Sequence, residues 1–292
     1  MAAEELEPGL RVILAPNPSP MTFRGTMTYL LGKRDLVVID PGPMDQAHLS
    51  AILAAVGPGQ RITRILVTHS HLDHSPLARP LAEATGAPVC AAGNSRWGQS
   101  GIMRQLATEG ALGGGEGVDE GFQPDQTLRE GDRIEADGQP VLVLETPGHM
   151  ANHLSFAWNG ALFSGDLVMS WSSSLISPPD GDMRAFYATL ARLGARSDRI
   201  CYPGHGGPVR TPRARCVELV AHRRAREAAI LEALGEGAAD TAQLARRIYT
   251  DTPAALLPAA ERNILAHLID LTGRNITSPL GKLTAHARFK RK

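Results

Sequence analysis

The sequence predicts an α/β layered fold followed by a small, mostly helical domain. Up to about residue 210, short apolar stretches typical of β-strands alternate with helix-like stretches, which is the pattern of an α/β architecture. After Pro212 the pattern becomes predominantly helical. The chain has 292 residues, of which 43% are hydrophobic and 21% charged, so it can bury a substantial core.

Residues 26–40 predict two β segments, TMTYLLG and LVVID, separated by the turn-prone Lys33, Arg34 and Asp35. The second segment ends sharply at Asp40, which precedes Pro41-Gly42. The elements expected next are a helix over 45–56, a strand over 62–68, a helix over 75–85 and a short strand over 88–92. The strand over 62–68 runs directly into His69.

The segment 93–125 differs from its surroundings, because a helix-like stretch at 98–109 leads into the Gly-rich, acidic run GALGGGEGVDEG. We interpret 93–125 as a mobile insertion or lid rather than as core. The elements expected after it are strands at 140–146, 153–158 and 161–164, a helix at 182–194 and a strand-like stretch at 199–202 that ends in PGHGGP.

A domain boundary is expected near Pro212, which divides the chain into residues 1–211 and 212–292. The second part contains helical patterns over 213–234, 240–248 and 258–272, followed by a small β-like tail. Three helices and a hairpin are the outline of a winged helix.

Thirty basic side chains balance thirty acidic ones, which excludes a strongly basic nucleic-acid scaffold. The balance hides a split: residues 211–292 carry a net charge of +6 and residues 1–210 a net charge of −6.

Three cysteines without a C-x-x-C pair exclude a disulfide framework or a four-Cys zinc ribbon. With an acidic N-terminus and no apolar run near the roughly 18 residues of a membrane span, we expect a cytoplasmic protein without membrane contact.

Four side chains that can bind a metal lie within six residues, directly after an apolar strand: His69, His71, Asp73 and His74. His69 and His71 are two positions apart and can face the same way, whereas a turn would direct Asp73 and His74 to a second point. Imidazole and carboxylate groups suit Zn²⁺ and similar first-row ions.

Three later segments each place a candidate ligand beside a glycine at the end of a β-like stretch. They are TPGH with His149, SGD with Asp166 and PGH with His205. Seven candidates are too many for one ion, which in an open site needs three protein ligands. Two ions about 3.5–4 Å apart, sharing Asp166, account for the number.

The motifs HSHLDH, TPGH, SGD and PGH, in this order and spacing, resemble the metallo-β-lactamase superfamily over roughly residues 10–210. The resemblance implies a four-layer αββα sandwich with the metals at one edge. It also implies three ligand sets: His69, His71 and His149 for the first ion; Asp73, His74 and His205 for the second; and Asp166 between them.

A closer resemblance lies in NPSPMTFRGTMTYLLG, YPGHGGP, AHRRAREAAILEAL, IYTDTP and LAHLIDL. These stretches are similar to a lactamase-B-like subgroup with a C-terminal winged helix, which includes an animal mitochondrial endoribonuclease and many bacterial hydrolases. The chain departs from the subgroup at 93–125 and at SWSSSLISPPDGDM. Familiar zinc β-lactamases usually have Cys or Ser in place of Asp166, so β-lactamase activity is not expected.

Two ions would hold a bridging water and lower its pKa from 15.7 toward about 7, giving hydroxide at neutral pH. Asp73 would bind one ion and orient this nucleophile. Zinc is the expected metal, with manganese or iron also suitable.

Asp40 resembles a carboxylate that supports ligand histidines, with a turn cap as the alternative. His153 resembles a residue that supports the ligands or faces the substrate, or is an ordinary packed or exposed histidine.

The main functional hypothesis is therefore a dinuclear zinc hydrolase of a small ester, thioester or lactone. The alternative is a metal-dependent endoribonuclease that holds single-stranded RNA on the basic C-terminal domain, where arginines cluster at Arg213, Arg215, Arg223, Arg224 and Arg226. That domain could instead cap the cleft or form a homodimer. A non-catalytic winged-helix regulator is a third hypothesis, and the intact set of seven ligands argues against it.

Overall fold

The computed structural model describes residues 2–108 and 117–292, and two β-sheets packed face to face form its centre. In these residues the first sheet has seven strands in the spatial order β1 to β7. They are β1 (Glu4–Glu7), β2 (Leu10–Leu14), β3 (Met27–Leu31), β4 (Asp35–Ile39), β5 (Arg61–Leu66), β6 (Val89–Ala91) and β7 (Gln126–Thr127). Strands β1 to β4 pair antiparallel, and β4 to β7 pair parallel.

The second sheet has five strands in the described residues, in the spatial order β12-β11-β10-β9-β8. They are β8 (Arg133–Ala136), β9 (Gln139–Glu145), β10 (Leu154–Trp158), β11 (Ala161–Gly165) and β12 (Ile200–Pro203). Among these five strands, β11 and β12 pair parallel, and the other neighbours pair antiparallel.

Helices cover the outer face of each sheet. The helices are α1 (Gln46–Ala54), α2 (Ala78–Thr85), α3 (Gly101–Thr108), α4 (Met183–Gly194), α5 (Pro212–Gly235), α6 (Thr241–Ile248) and α7 (Leu257–Gly273). Helices α1 and α2 pack on the first sheet, whereas α4 and the first half of α5 pack on the second. The predicted α/β fold with a four-layer αββα sandwich is confirmed.

Apolar residues on both faces of the central strands hold these layers together. In β4, Val37 and Ile39 face the second sheet, whereas Leu36 and Val38 face the helices α1 and α2. Alternate side chains of a strand point to opposite faces, so a continuous apolar run is needed when both faces are buried. This is why LVVI is apolar throughout.

The C-terminal helices and the hairpin β13 (Thr277–Pro279) and β14 (Phe289–Arg291) form the predicted winged helix. Its core contains Ile230 and Leu234 from the second half of α5, Leu268 from α7 and Phe289 from the hairpin. Because the first half of α5 packs on the sandwich, the same helix belongs to both cores. The boundary near Pro212 stays a prediction.

The described parts of segment 93–125 pack against both domains. Met103 and Leu106 of α3 lie in the winged-helix core, and Phe122 packs beside α2 on the first sheet. Val118 forms an isolated β-bridge with His71. The interpretation of 93–125 as a mobile insertion or lid rather than as core therefore does not hold for the core side chains Met103, Leu106 and Phe122. For the rest of the segment it stays a prediction, and residues 109–116 lie outside the described residues.

The sequence analysis found most elements close to their observed positions and missed four strands: β1, β2, β7 and β8. Strands β1, β7 and β8 have two to four residues with little apolar character, so their partners rather than their own composition make them strands. Strand β2 has the apolar sequence LRVIL, which is typical of a strand and was overlooked. Among residues 2–108 and 117–292, no helix has the length and apolar character required to cross a bilayer.

Replacement of Phe163 tests the packing between the sheets. Its side chain is 1% exposed, its ring centroid lies 5.0 Å from that of Tyr29 in an edge contact, and it stacks on Tyr202 at 5.6 Å. We expect Phe163→Ala to lower the free energy of unfolding by about 3–5 kcal/mol in urea titrations, because it leaves a cavity. Leu280→Ala, at a side chain that is 48% exposed, should change it by less than about 0.5 kcal/mol. Equal effects of the two changes would refute this view of the core.

Candidate metal centre

The seven residues predicted as ligands come together at one edge of the two sheets. The loop after β5 supplies four of them, and His149, Asp166 and His205 follow β9, β11 and β12. Both β9 and β11 pair antiparallel with β10, and β12 is parallel to β11, so these three strands end at the same edge. The sheet topology thus assembles side chains that are far apart in the sequence.

The first group contains His69, His71 and His149, all buried. The Nε2 atoms of His69 and His149 each lie 3.0 Å from Nδ1 of His71. Ligand nitrogens about 2.0–2.1 Å from a tetrahedral zinc ion are about 3.3 Å apart, which is close to this spacing. Three imidazole nitrogens therefore converge as the ligands of one ion would.

The second group contains Asp73, His74, Asp166 and His205, also buried. Asp73 Oδ2 lies 3.0 Å from His205 Nε2 and 3.4 Å from His74 Nε2. Asp166 reaches both groups, because its Oδ2 is 3.3 Å from His205 Nε2 and 3.6 Å from His149 Nε2. This position between the groups is the one expected of a bridging carboxylate.

Asp40 supports two of these histidines from behind. Its Oδ2 lies 2.9 Å from Nδ1 of His74 and accepts a hydrogen bond from the Thr68 hydroxyl at 2.7 Å. The Thr68 oxygen in turn lies 3.0 Å from Nδ1 of His69. Partners of this kind fix the ring orientation of a ligand histidine and direct its free nitrogen toward the metal. Asp40 therefore has the contacts expected of a supporting carboxylate.

Backbone carbonyls orient two further histidines. Nδ1 of His149 lies 2.7 Å from the carbonyl oxygen of Leu175, and Nδ1 of His205 lies 3.1 Å from that of Gly25. In both rings Nε2 is thereby left to face the cluster.

His153 is buried behind the cluster. Its Nδ1 lies 2.8 Å from the Thr146 hydroxyl, and its Nε2 accepts a hydrogen bond from the backbone N–H of Asp166 at 3.3 Å. Its ring also stacks on His69 with 5.1 Å between centroids. These contacts place His153 against two ligands and away from the cavity, so they favour a supporting role over a substrate-facing one.

Two glycines beside the ligands are required by close approach. A Cβ on Gly204 would lie 2.6 Å from both Asp166 Oδ1 and His74 Cε1. A Cβ on Gly165 would lie 2.6 Å from Nε2 of His153, and this residue also has a φ of +47°. The glycines of SGD and PGH therefore make room for the neighbouring ligands.

Burial determines the protonation of the first group. It lowers the pKa of His69, His71 and His149, to about 3 for His71. These imidazoles are therefore neutral at neutral pH, which is the form that binds a metal.

Charge determines the protonation of the second group. Burial opposes a charge on His74 and His205, but Asp73 and Asp166 outweigh it, so the pKa of His205 is raised to about 10 and that of His74 well above its usual value. Burial also opposes the carboxylates, yet the two histidines hold the pKa of Asp73 and Asp166 below its usual range. The protonated rings of His74 and His205 thus carry the positive charge beside Asp73 and Asp166 that a metal ion would otherwise supply.

The residues present fit a pair of metal ions. Asp166 Oδ1 is buried without a hydrogen-bond partner, although it lies 3.3 Å from His74 Nε2. A buried carboxylate oxygen is normally satisfied, and one left without a partner inside a His/Asp cluster has the position of a metal ligand. The cluster is typical of dinuclear metal sites.

A cavity of about 260 Å³ opens onto the cluster. Five of the candidate ligands line it, and its walls come from residues 20–21, from the pocket loop (residues 169–176) and from the C-terminal domain. The C-terminal residues that line it are Tyr249, Thr252, Leu256, Ala259, Ala260 and Asn263. No lysine or arginine is among the described residues that line this cavity.

Trp171 forms a side wall of the cavity. It lies over Gly206, directly after His205, and stacks on Phe23 with ring centroids 5.0 Å apart. Phe23 is 45% exposed and adopts a φ of 58°, which is unusual for an aromatic residue. The aromatic pair joins the loop before β3 to the pocket loop at the rim of the cavity.

Most of the arginines that the sequence clusters on α5 make contacts within the protein. Arg215 donates to two carbonyls of the pocket loop, at 2.8 and 3.0 Å, and Arg223 is only 2% exposed. Arg224 pairs with Glu227, and the guanidinium of Arg226 lies 4.6 Å from a tyrosine ring centroid. Structural contacts therefore account for much of this basic cluster.

Sequence reasoning missed the C-terminal residues of the cavity. Tyr249 and Thr252 lie in IYTDTP, a stretch whose only sequence signal is its resemblance to a subgroup. Asn263 sits in an ordinary helical pattern on α7, and no local signal marks it. Only the docking of the winged helix on the sandwich brings it to the cluster.

Comparisons with known proteins agree with this geometry. A model described as the metallo-beta-lactamase superfamily matches residues 21–205, and one described as the beta-lactamase associated winged helix domain matches residues 241–282.

Individual proteins are similar over most of the chain. A "Beta-lactamase-like protein 2 homolog" of Drosophila melanogaster is 30% identical over 89% of this chain and 86% of its own length. An "Atrochrysone carboxyl ACP thioesterase" of Aspergillus fumigatus is 25% identical over 85% of this chain and 76% of its own. The solved structure of a metallo-beta-lactamase family protein from Thermus thermophilus has a TM-score of 0.79 at 26% identity, covering 99% of this chain and 100% of that one.

The protonated state of the second group predicts that metal binding releases protons. At pH 7.5 we expect about one to two protons per chain, because His74 and His205 must lose theirs to become ligands. Calorimetric titration of metal-free protein with Zn²⁺, in buffers of different ionisation enthalpy, measures this number. The apparent affinity should rise with pH, since fewer protons then compete with the metal. Binding without proton release would contradict the assigned charges.

Proposed function

The chain belongs to the metallo-β-lactamase superfamily and is a hydrolase with a His/Asp metal-binding cluster, and we propose that it uses two zinc ions to hydrolyse a small ester, thioester or lactone. The proposal rests on one observation above all: the cavity over the cluster has no lysine or arginine among its described lining residues. Proteins that bind nucleic acids contact the phosphates largely through such cations.

The residues of the two groups would hold the metals as their geometry suggests. His69, His71 and His149 would bind one ion, and Asp73, His74 and His205 the other, with Asp166 shared between them. When bound, two ions supply Lewis acidity and a water of lowered pKa. Manganese and iron also suit these nitrogen and oxygen ligands.

Asp73 is the residue to which we assign the orienting of the attacking water. It lines the cavity, it is 4% exposed, and its carboxylate is ionised at neutral pH because His74 and His205 outweigh the effect of burial. An ionised carboxylate at the cavity floor can accept a hydrogen bond from the attacking water and orient it.

The walls of the cavity suit an uncharged acyl group. The cavity of about 260 Å³ has apolar walls formed by Met21, Met169, Trp171, Leu175 and Leu256. Small-molecule sites typically combine such apolar walls with a few polar groups that fix the reacting end. A relative named as an acyl-carrier-protein thioesterase supports the thioester within this class of substrates.

A parallel screen of thioester, lactone, carboxylic ester, phosphodiester, β-lactam and RNA substrates tests the proposal. We expect turnover of the acyl substrates and its loss in Asp73→Ala, by at least about 100-fold, since this change removes both a metal ligand and the group that orients the water. Glu120→Ala, an exposed carboxylate on the segment that pairs with the metal-binding loop, should keep full activity. Activity that persists in Asp73→Ala, or turnover confined to β-lactams or RNA, would overturn the proposal.

The dependence of kcat/KM on salt separates this function from the endoribonuclease alternative. An uncharged acyl substrate should give a nearly flat plot of log kcat/KM against log salt concentration. A protein that contacts several phosphates would lose affinity steeply, with a slope of about −0.7 per phosphate on single-stranded RNA. RNA cleavage with a steep slope that disappears in Asp73→Ala would favour the alternative.

A further inference from the structure

We propose that Arg223 and Asn263 of the C-terminal domain are positioning residues for the metal ligand His149. They hold the pocket loop at Ser174 and Ile176, on either side of the carbonyl that orients the His149 ring. The winged-helix domain would then help to orient a metal ligand. This inference rests on the metal-binding cluster and is independent of the substrate class.

Backbone groups of three successive pocket-loop residues make hydrogen bonds, the middle one toward the metal cluster and the outer two toward the C-terminal helices. The Leu175 carbonyl oxygen lies 2.7 Å from Nδ1 of His149, on the metal side. The Ser174 carbonyl accepts a hydrogen bond from the Arg223 guanidinium, and the Ile176 backbone N–H donates to Asn263 Oδ1 at 3.0 Å. The two contacts from the C-terminal domain therefore bracket the one contact to the ligand.

Arg223 and Asn263 act as a pair, because Nη1 of Arg223 donates to Asn263 Oδ1 at 2.9 Å. The asparagine oxygen thus joins α5 to α7 and accepts from both the guanidinium and the pocket loop. Removal of either residue would leave one backbone group of the loop without its partner and would cost the other residue one of its two contacts.

The same loop also contacts the bridging carboxylate residue. The Ser174 hydroxyl donates to the backbone carbonyls of Asp166 and Leu167, the latter at 3.0 Å. Arg223 holds the carbonyl of this same Ser174. Displacement of Ser174 would thus affect the backbone at Asp166 as well as the ring of His149.

The burial of Arg223 supports a purpose beyond packing. Its side chain is 2% exposed, and its guanidinium donates to a carbonyl and an amide oxygen rather than to a carboxylate. Burial lowers its pKa to about 10, so it still carries its charge at neutral pH. A buried charge costs stability, and an apolar residue would pack there without that cost.

Zinc affinity tests the proposal without reference to any substrate. The variants are Arg223→Met and Asn263→Ala, with Arg224→Met as the matched control, since Arg224 is the next residue on α5 and pairs with Glu227 at a partly exposed position. Chelator competition gives the zinc dissociation constants, and thermal unfolding gives Tm for the metal-free and the zinc-loaded protein.

We expect Arg223→Met and Asn263→Ala to weaken the binding of one zinc ion by about 10- to 100-fold, the usual effect of losing a group that orients a ligand. The rise in Tm on adding zinc should shrink in both variants and stay at the parental value in Arg224→Met. Arg223→Lys should recover part of the affinity, because an ammonium can reach the Ser174 carbonyl but cannot make both contacts as a guanidinium does.

A merely structural role would give a different result. Arg223→Met and Asn263→Ala would then lower Tm equally in the metal-free and zinc-loaded forms, with zinc affinity within about twofold of the parent, and the proposal would be overturned. If Arg223→Met does not fold, Asn263→Ala decides by the same criterion. Failure of the acyl-substrate assignment would leave these affinities unchanged, so the two proposals can fail separately.

Discussion

The burial of two carboxylates, Asp73 and Asp166, is the constraint on which the rest of the metal centre depends. An ionised carboxylate loses its hydration on burial and must recover that energy from hydrogen bonds, opposite charges or a metal ion. Here the recovery comes from His74 and His205, which lie 3.0–3.4 Å away. Asp40 then holds His74 in place through its other ring nitrogen. The arrangement suits two divalent ions, whose charge would replace that of the imidazolium groups.

The position of the centre at the sheet edge depends on how closely the ligands approach one another. Ligands must approach one another closely, so the backbone beside them has to carry little bulk, as at Gly165 and Gly204. The strands that end there are fixed by the core between the sheets. A rigid scaffold of this kind holds ligands in place before the metal arrives, which lowers the cost of ordering them.

The C-terminal domain closes the site from the other side. It lines the cavity, and two of its arginines on α5, Arg215 and Arg223, hold the pocket loop through hydrogen bonds to its carbonyls. The net charge of +6 on residues 211–292 is therefore a poor guide to nucleic-acid binding. A charged side chain counts toward an external partner only if internal hydrogen bonds do not already use it, and sequence does not show which arginines are used.

The amino-acid sequence was enough to predict the layered fold, the winged helix and the seven candidate ligands, because each depends on local signals: apolar periodicity, strand ends and histidines beside glycines. It also identified Asp40, which follows β4 directly. It did not determine the role of His153, the short strands β1 and β7, or the walls of the cavity. Those were decided by the tertiary structure, since they depend on which surfaces meet. Arg223 and Asn263 show the reason most clearly: forty residues separate them, their helical patterns are ordinary, and only the packing of α5 and α7 against the pocket loop brings them beside a metal ligand.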